Sequence, residues 1–234
     1  MVPGATIVDI THNAAQYDLQ QAAYLLLSSY RHFPPGTIHM VLVDVFAQGS
    51  PRMLLAEHDG YRFIAPDNGI LPLAFGSSLQ QTLLCAELQK PHTFSSWINA
   101  AGNVIAQLQQ GRTGFPACEV KKAPRVLQPR PLPDGVECNI LYVDRYDNIV
   151  LDITRTQFEE MVQGRPFKIK LMHVGDITTI STSYNDVEKD EPLCRFNRAG
   201  YLEIAFNHAP AASSLGFASF STGNLRYQTI KIQF

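Results

Sequence analysis

The sequence predicts an α/β N-terminal domain with a mostly parallel, layered sheet, followed by an all-β C-terminal domain of sandwich or barrel-like form. Apolar runs in the first half alternate with segments of helical spacing, which is typical of layered α/β domains. Residues 111–135 contain five prolines and little periodicity, as expected of an extended connection. Short strand-like runs separated by frequent turns then fill the second half, as in antiparallel sandwiches and barrels.

Length and composition agree with two ordinary globular domains, which we place at residues 1–120 and 136–234, with a linker at 121–135. The chain has 234 residues, of which 45% are hydrophobic and 17% charged, so it can bury a sizeable core. A net charge of -2 gives no reason to expect nucleic acid or an anionic membrane as a partner. The four cysteines form no CxxC pair, so we expect reduced thiols in a soluble, cytoplasmic protein.

The N-terminal domain is predicted to open with a strand at residues 5–10 and a helix at about 18–30. Leucines and alanines at helical spacing give this helix a core-facing stripe, and Asp18 suits its first turn. Apolar runs rich in Val, Ile, Leu and Phe then predict buried strands at residues 38–46, 53–57 and 61–65. Further helices are predicted at residues 77–89 and 96–110, the second with Ser95 or Ser96 as its cap.

The C-terminal domain is predicted to consist almost entirely of strands. One short helix, at about residues 156–162, interrupts them. The predicted strands lie at residues 137–143, 149–153, 167–174, 177–183, 193–196, 200–206 and 225–234.

Residue patterns alone leave the function open. Asp44 follows the most apolar run, and strand ends in α/β sheets are common ligand sites, but an aspartate there also suits a turn. Only His12 and His173 have a carboxylate three residues away, at Asp9 and Asp176, and no two histidines are spaced to share a helix face, so we expect no metal site. No GxGxxG, Walker loop or GxSxG is present, which removes the usual dinucleotide, phosphate-loop and hydrolase-elbow patterns.

Motifs in both domains, in order along nearly the whole chain, resemble one family. They are IVDITHN (7–13), FPPGTIH (33–39), the run ending at Asp44, IAPDNGIL (64–71), YVDRYDNIVLDI (142–153) and NRAGYLEIAFNHAPAASSLG (197–216). These are similar to the S-adenosylmethionine (SAM) hydroxide adenosyltransferases, the adenosine-forming SAM hydrolases related to fluorinases and chlorinases.

The resemblance implies a substitution at the ribose 5′ carbon of SAM, in which water or hydroxide attacks, methionine leaves and adenosine forms. It implies no cofactor beyond the substrate itself. It also implies a homotrimer whose sites lie between the N-terminal domain of one subunit and the C-terminal domain of its neighbour. The family opens with a strand and a T-D-F-G-like loop, and this chain starts beyond that point, so we expect either a truncated sequence or a sheet that lacks that strand.

By the same resemblance, Asp44 and Arg52 match an aspartate and an arginine that position and activate the attacking water. Arg52 comes eight residues after Asp44, where the family usually has seven. The family also uses a histidine in a T-F-H-G segment, and here Ser95 stands in its place. His92 lies three residues earlier and would need a rearranged loop to take part.

Three polar or aromatic residues of the first domain match substrate-binding positions. Tyr17 matches an aromatic against the ribose and sulfonium, although it also suits packing at a helix entry. Thr93 and Ser96 match polar residues of the nucleophile pocket, although helix capping accounts for them equally well.

The second domain supplies the remaining matches. Asp144 matches the carboxylate that holds the methionine ammonium, with a turn role as the alternative. Tyr146 replaces a phenylalanine that stacks on adenine, Asn148 matches the amide that bonds the adenine edge, and Tyr184 resembles an aromatic that covers the base. Arg198 lies near the position of the methionine carboxylate and suits it in charge.

Two other functions remain open beside SAM hydrolysis. A family member that binds SAM or adenosine without turnover would also suit the missing histidine and the shifted arginine. A halogenase is the least expected, because Asp44 would place negative charge beside a halide in a desolvated pocket.

Overall fold

The computed structural model describes residues 4–47, 51–79, 81–90, 92–122, 128–171, 174–217 and 228–234. It divides into two compact units, Met1–Arg125 and Val126–Phe234. Residues 123–127 of the predicted linker, and residues 172–173 and 225–227 of two predicted strands, lie outside the described residues, as does His173.

The first unit contains a mixed four-stranded sheet and three α-helices. The helices are α1 (Leu19–Ser29), α2 (Ile70–Phe75) and α3 (Phe94–Gln109). The strands are β1 (Ile38–Met40), β2 (Arg52–His58), β3 (Tyr61–Pro66) and β4 (Thr82–Glu87). Their order in the sheet is β1-β3-β2-β4.

The prediction of a mostly parallel sheet is wrong in this unit. Only β1 and β3 run parallel among the described strands, whereas β2 is antiparallel to both β3 and β4. The cause is local: Asp59 and Gly60 both have positive φ angles, 50° and 79°, and form a two-residue turn between β2 and β3. Such a turn can only join antiparallel neighbours.

Three predicted elements of this unit also differ from the structure. Residues 77–89 were expected to be helical, but β4 extends there because its backbone pairs with the edge of β2, a non-local interaction that outweighs local spacing. Residues 5–10 lie outside any strand, with Ile7 89% exposed and no ladder partner among the described residues. The strand predicted at 38–46 ends at Met40.

Both faces of the first sheet are buried. Leu54 and Ala56 of β2 pack with residues of α1 and α2, whereas Met53 and Leu55 pack with α3, including the fully buried Trp97. This alternation follows from the two-residue period of a strand. Asp18 caps α1, as expected, because its carboxylate accepts a hydrogen bond from the Gln21 N–H at 3.0 Å.

The second unit is an antiparallel sheet of eight strands, so the all-β prediction is confirmed. The strands are β5 (Arg130–Leu132), β6 (Gly135–Val143), β7 (Ile149–Thr154), β8 (Lys168–Leu171), β9 (Gly175–Ile177), β10 (Pro192–Phe196), β11 (Tyr201–Phe206) and β12 (Thr229–Gln233). The order is β10-β11-β7-β6-β12-β8-β9, with β5 beside β6. Ile180, just after β9, bridges Cys194 of β10, so the sheet is nearly closed and barrel-like.

Two helices accompany this sheet: α4 (Arg155–Val162) and α5 (Ala211–Ser214). The first agrees with the predicted helix at 156–162, and Thr154 caps it in a reciprocal pair of hydrogen bonds with Gln157. In the part of the chain that the structure describes, no helix combines the length and apolar character needed to cross a bilayer.

Candidate functional site

Asp44 and Arg52 line one open notch in the first unit. Asp44 lies in the turn after β1 and adopts a φ of 48°, which an L-residue rarely takes. The notch is shallow, and its lining residues are Asp44, Val45, Ala47, Pro51, Arg52, Pro66, Asp67 and Asn68. The two predicted catalytic residues are therefore brought together by the fold.

The Arg52 side chain is anchored from two sides. Its Nη1 lies 2.7 Å from Oδ2 of Asp67, whose side chain is 1% exposed. Its Nη2 donates to the Glu119 carbonyl at 3.4 Å. Residue patterns gave no reason to single out Asp67. The signal was its place at the end of buried β3, because the antiparallel pairing of β3 with β2 brings that end beside Arg52.

The neighbouring Asn68 holds the turn that carries Asp44. Its Nδ2 donates to the carbonyl oxygens of Val43 at 2.9 Å and of Asp44 at 3.3 Å. Its Oδ1 accepts from the Ile70 N–H at 3.2 Å, which fixes the orientation of the amide. Sequence reasoning missed Asn68 as well, since it entered only as part of the IAPDNGIL motif.

Thr93 and Ser96 form the cap of α3. The Ser96 N–H donates to Thr93 Oγ1 at 3.2 Å, and the Thr93 N–H donates to Ser96 Oγ at 2.9 Å. The cap therefore lies at Thr93, not at Ser95 or Ser96. This bonding accounts for both side chains structurally, and their role in a nucleophile pocket stays a prediction.

Ser95 and His92 lie at and near the position of the family's histidine. Ser95 is exposed on the first turn of α3. The His92 ring stacks on that of Phe46, with centroids 5.3 Å apart and planes at 25°. Because Phe46 follows Asp44 by two residues, His92 contacts the loop that carries Asp44. A part for His92 in the reaction through a rearranged loop stays a prediction.

Tyr17 precedes the cap of α1 and does not pack into the core. Its side chain is 69% exposed, and its φ of 62° turns the chain sharply into the helix. The packing alternative is therefore wrong, whereas its contact with a ligand stays a prediction.

In the second unit, the turn between β6 and β7 gathers three of the predicted binding residues. Asp144 Oδ1 accepts from the N–H groups of Tyr146 at 2.8 Å and Asn148 at 2.9 Å, and its Oδ2 accepts from Asn148 Nδ2 at 3.0 Å. Asn148 is buried, whereas the Tyr146 ring is 82% exposed. The turn role of Asp144 is thus present, and the ring of Tyr146 is free to stack on a flat group.

Tyr184 belongs to a network that sequence reasoning missed. Its hydroxyl donates to Oε1 of Glu203 at 2.8 Å, and the Arg195 guanidinium lies 4.8 Å from the centre of its ring. Arg195 and Glu203 face each other across the β10–β11 ladder. The sequence alone could not show this network, because the pairing of Arg195 with Glu203 depends on the register of that hairpin.

Burial controls the ionisation of this network. It raises the pKa of Tyr184 to about 12, and the hydrogen bond to Glu203 adds to the shift. Burial also raises the pKa of Glu203, against the opposing effect of the Tyr184 hydroxyl. The charge of Asp144 raises the pKa of both groups, so Asp144 lies within electrostatic range of them.

Arg198 lies exposed in the turn between β10 and β11, outside this network.

Known proteins resemble both units. Residues 1–108 match the SAM hydroxide adenosyltransferase N-terminal domain, and residues 138–222 match the C-terminal domain of the same family. An (R)-S-adenosyl-L-methionine hydrolase from Thermus thermophilus is 25% identical over 230 residues, which cover 92% of this chain and 85% of that protein. A fluorinase from an Actinoplanes species is 25% identical over 256 residues, covering 90% of this chain and 84% of the fluorinase.

A crystal structure of an uncharacterised conserved protein from Thermotoga maritima has the same fold. It superposes with a TM-score of 0.78 at 22% identity, over 99% of this chain and 90% of the other. Because the two domains of one family match in order and together span most of the sequence, the chain belongs to the SAM hydroxide adenosyltransferase family.

Proposed function

We propose that this protein hydrolyses SAM to adenosine and methionine, with water or hydroxide attacking the ribose 5′ carbon. The observation that carries the proposal is the meeting of Asp44 and Arg52 on one notch, in a chain of this family. Relatives named (R)-S-adenosyl-L-methionine hydrolase support the choice of substrate.

The chemistry asks little beyond orientation. A lone pair of the water oxygen forms the new C–O bond, the C–S bonding pair moves to the sulfonium, and methionine leaves as a neutral thioether. The proton lost by the water passes to a base, which we assign to Asp44, while Arg52 orients the developing hydroxide. Because the leaving group is already cationic, the step needs neither a cofactor nor a metal ion, and its rate depends on holding the water in line.

Substrate binding is proposed to use the remaining matched residues. In the C-terminal domain, Asp144 would hold the methionine ammonium and Arg198 its carboxylate, because each carries the complementary charge. Tyr146 and Tyr184 would cover the adenine faces, and Asn148 would bond its edge.

The N-terminal domain would complete the pocket around the reacting carbon. Tyr17 would contact the ribose and sulfonium, where its exposed ring offers a π face to a cation. Thr93 and Ser96 would line the water pocket with their hydroxyl oxygens, which keep acceptor capacity beyond the capping bonds.

The direct test is incubation of the protein with SAM in water enriched in oxygen-18, following adenosine and methionine by chromatography and mass spectrometry. We expect labelled adenosine from the wild type and none from Asp44→Ala. Glu57→Ala is the matched control, since it removes an exposed carboxylate of β2 in the same unit. Unlabelled adenosine, or activity that survives Asp44→Ala, would contradict the mechanism.

A second candidate function is binding of SAM or adenosine without turnover. The observation that favours it is Ser95, which stands where the family has its histidine and lies exposed on α3. Tight binding of SAM measured by calorimetry, without adenosine formation, would select this candidate over the hydrolase.

We also propose a cytoplasmic homotrimer in which each site combines the N-terminal domain of one subunit with the C-terminal domain of its neighbour. Its four cysteines are free thiols, as suits a reducing compartment. Co-expression of Asp44→Ala with Asp144→Ala subunits tests the shared site, because some sites then receive two intact domains. Activity above that of either variant alone is expected, and its absence in a confirmed mixed trimer would argue against sharing.

A further inference from the structure

The adjacent residues Asp67 and Asn68, at the end of β3, each hold a different member of the proposed catalytic pair. Asp67 contacts the Arg52 guanidinium, and Asn68 contacts the backbone of Asp44. Both residues also line the notch, but the mechanism above assigns neither of them a contact with the reacting atoms. Their contacts nevertheless position the Arg52 guanidinium and the Asp44 carboxylate, which act on the attacking water.

Asp67 is built to orient a cation. Its carboxylate is 1% exposed, and Oδ2 lies 2.7 Å from Arg52 Nη1. Oδ1 accepts from the Lys121 N–H at 2.9 Å, and the Asp67 N–H donates to the Arg52 carbonyl at 3.0 Å. The Lys121 backbone thus holds the carboxylate, and the charged contact with one guanidinium nitrogen restricts where the Arg52 side chain can lie.

Asn68 is built to stabilise an unfavourable backbone. Asp44 has a φ of 48°, a region that costs an L-residue free energy unless its surroundings fix it. The two donated bonds from Asn68 Nδ2, to Val43 at 2.9 Å and to Asp44 at 3.3 Å, span that residue. The amide of Asn68 therefore holds the backbone that positions the Asp44 carboxylate in the notch.

We propose that Asp67 and Asn68 are positioning residues for the hydrolysis, Asp67 acting through Arg52 and Asn68 through Asp44. The inference rests on the proposed function, since it assigns the support of that same site. A misplacement on the order of 1 Å lowers the rate of an oriented reaction by about 10²-fold. We therefore expect Asp67→Asn and Asn68→Ala each to lower kcat by about that factor, with KM for SAM little changed.

A double-mutant cycle separates positioning from general damage. If Asp67 acts only through Arg52, Asp67→Asn lowers kcat in the wild type but adds nothing once Arg52→Gln has removed the guanidinium. Asn68→Ala acts through another residue, so its factor should multiply with that of Arg52→Gln. The two variants thus give opposite outcomes in the same background.

Asp152→Asn is the matched control for loss of a buried carboxylate. Asp152 is buried in the second unit and accepts hydrogen bonds from the backbone and side chain of Asn139, so its loss destabilises the chain away from the notch. Denaturant unfolding of every variant then reports stability separately from kcat. We expect Asp152→Asn to lower the unfolding midpoint and to leave kcat near that of the wild type.

The possible failures are distinguishable. A wild type without turnover would refute the proposed hydrolase and, with it, the reaction that these residues position. If the wild type is active but the reductions in kcat caused by Asp67→Asn and Arg52→Gln multiply, the role of Asp67 is refuted while the hydrolase stands. A change in KM with kcat unaltered in Asn68→Ala would refute the role of Asn68.

Discussion

Removing the Tyr184 hydroxyl should destabilise the protein in a way that depends on pH. Tyr184→Phe keeps the ring and deletes the donor 2.8 Å from Glu203 Oε1. Glu203 is only 7% exposed, so its carboxylate has little access to a replacement water. A hydrogen bond to a charged group contributes about 1.5–3 kcal/mol. Since the Tyr184 ring is 37% exposed, we expect a loss at the low end, about 1.5 kcal/mol at pH near 8.

The pH dependence follows from the direction of the Glu203 shift. Burial raises the pKa of Glu203 in the folded protein, so ionisation of this group opposes folding. The folded protein therefore becomes more stable as the pH falls through the folded pKa and Glu203 takes up a proton. The Tyr184 hydroxyl favours the charged form and partly offsets that cost. Once Glu203 is protonated, the same hydroxyl forms a neutral hydrogen bond, which typically contributes about 1 kcal/mol. The effect of Tyr184→Phe should therefore shrink between pH near 8 and pH near 4.

Urea unfolding of the wild type and Tyr184→Phe at both pH values measures the two differences. Tyr146→Phe is the control, because the Tyr146 ring is exposed and its hydroxyl has no buried carboxylate to satisfy. A destabilisation that is equal at the two pH values, or larger in acid, would refute the assignment of Glu203 as the ionised acceptor.

Three further predictions concern the two units. Trp97→Ala should lower the free energy of unfolding by about 3–5 kcal/mol because the ring is fully buried, whereas Phe94→Ala in the same helix should change it by less than about 1 kcal/mol. Gly135→Ala should cost about 3 kcal/mol or more, since its Cβ would lie 2.0 Å from the Ile232 carbonyl oxygen, whereas Gly102→Ala in α3 meets open space and should stabilise by about 0.5–1 kcal/mol. Both pairs are measured by denaturant unfolding. Asp144→Asn should weaken SAM binding by about tenfold or more in calorimetry, because it removes the charge proposed to face the ammonium, and unchanged affinity would argue against that role.

The helices were predictable where local signals were complete. Helices α1 and α4 each combine an apolar stripe with a polar cap, at Asp18 and Thr154, and both signals act within a few residues. Strand β4 was missed because its apolar residues fit either period, and its state is decided by the distant edge of β2. The antiparallel pairing of β2 with β3 was predictable in principle, since Asp59-Gly60 between two apolar runs is a strong hairpin signal.

The site divides along the same line. Asp44 was singled out because it follows an apolar run, and the structure adds that Asn68, distant in sequence, donates a hydrogen bond to its carbonyl oxygen. Arg52 was found by resemblance despite its shifted spacing. The structure places Arg52 at the start of β2, where its guanidinium contacts Asp67 directly after β3.

The arginines of the second unit show what register adds to a sequence match. Arg198 was matched by its place near the methionine carboxylate, and it lies in an exposed hairpin turn. Three residues earlier, Arg195 lies on β10 opposite Glu203 and over the Tyr184 ring, so its charge is already shared within the network. An arginine engaged in this way stabilises the ring that it covers, whereas an exposed one keeps its donors for an anion. The β10–β11 register therefore separates the two arginines: Arg195 supports the Tyr184 ring, and Arg198 is left to bind the methionine carboxylate in the proposed site.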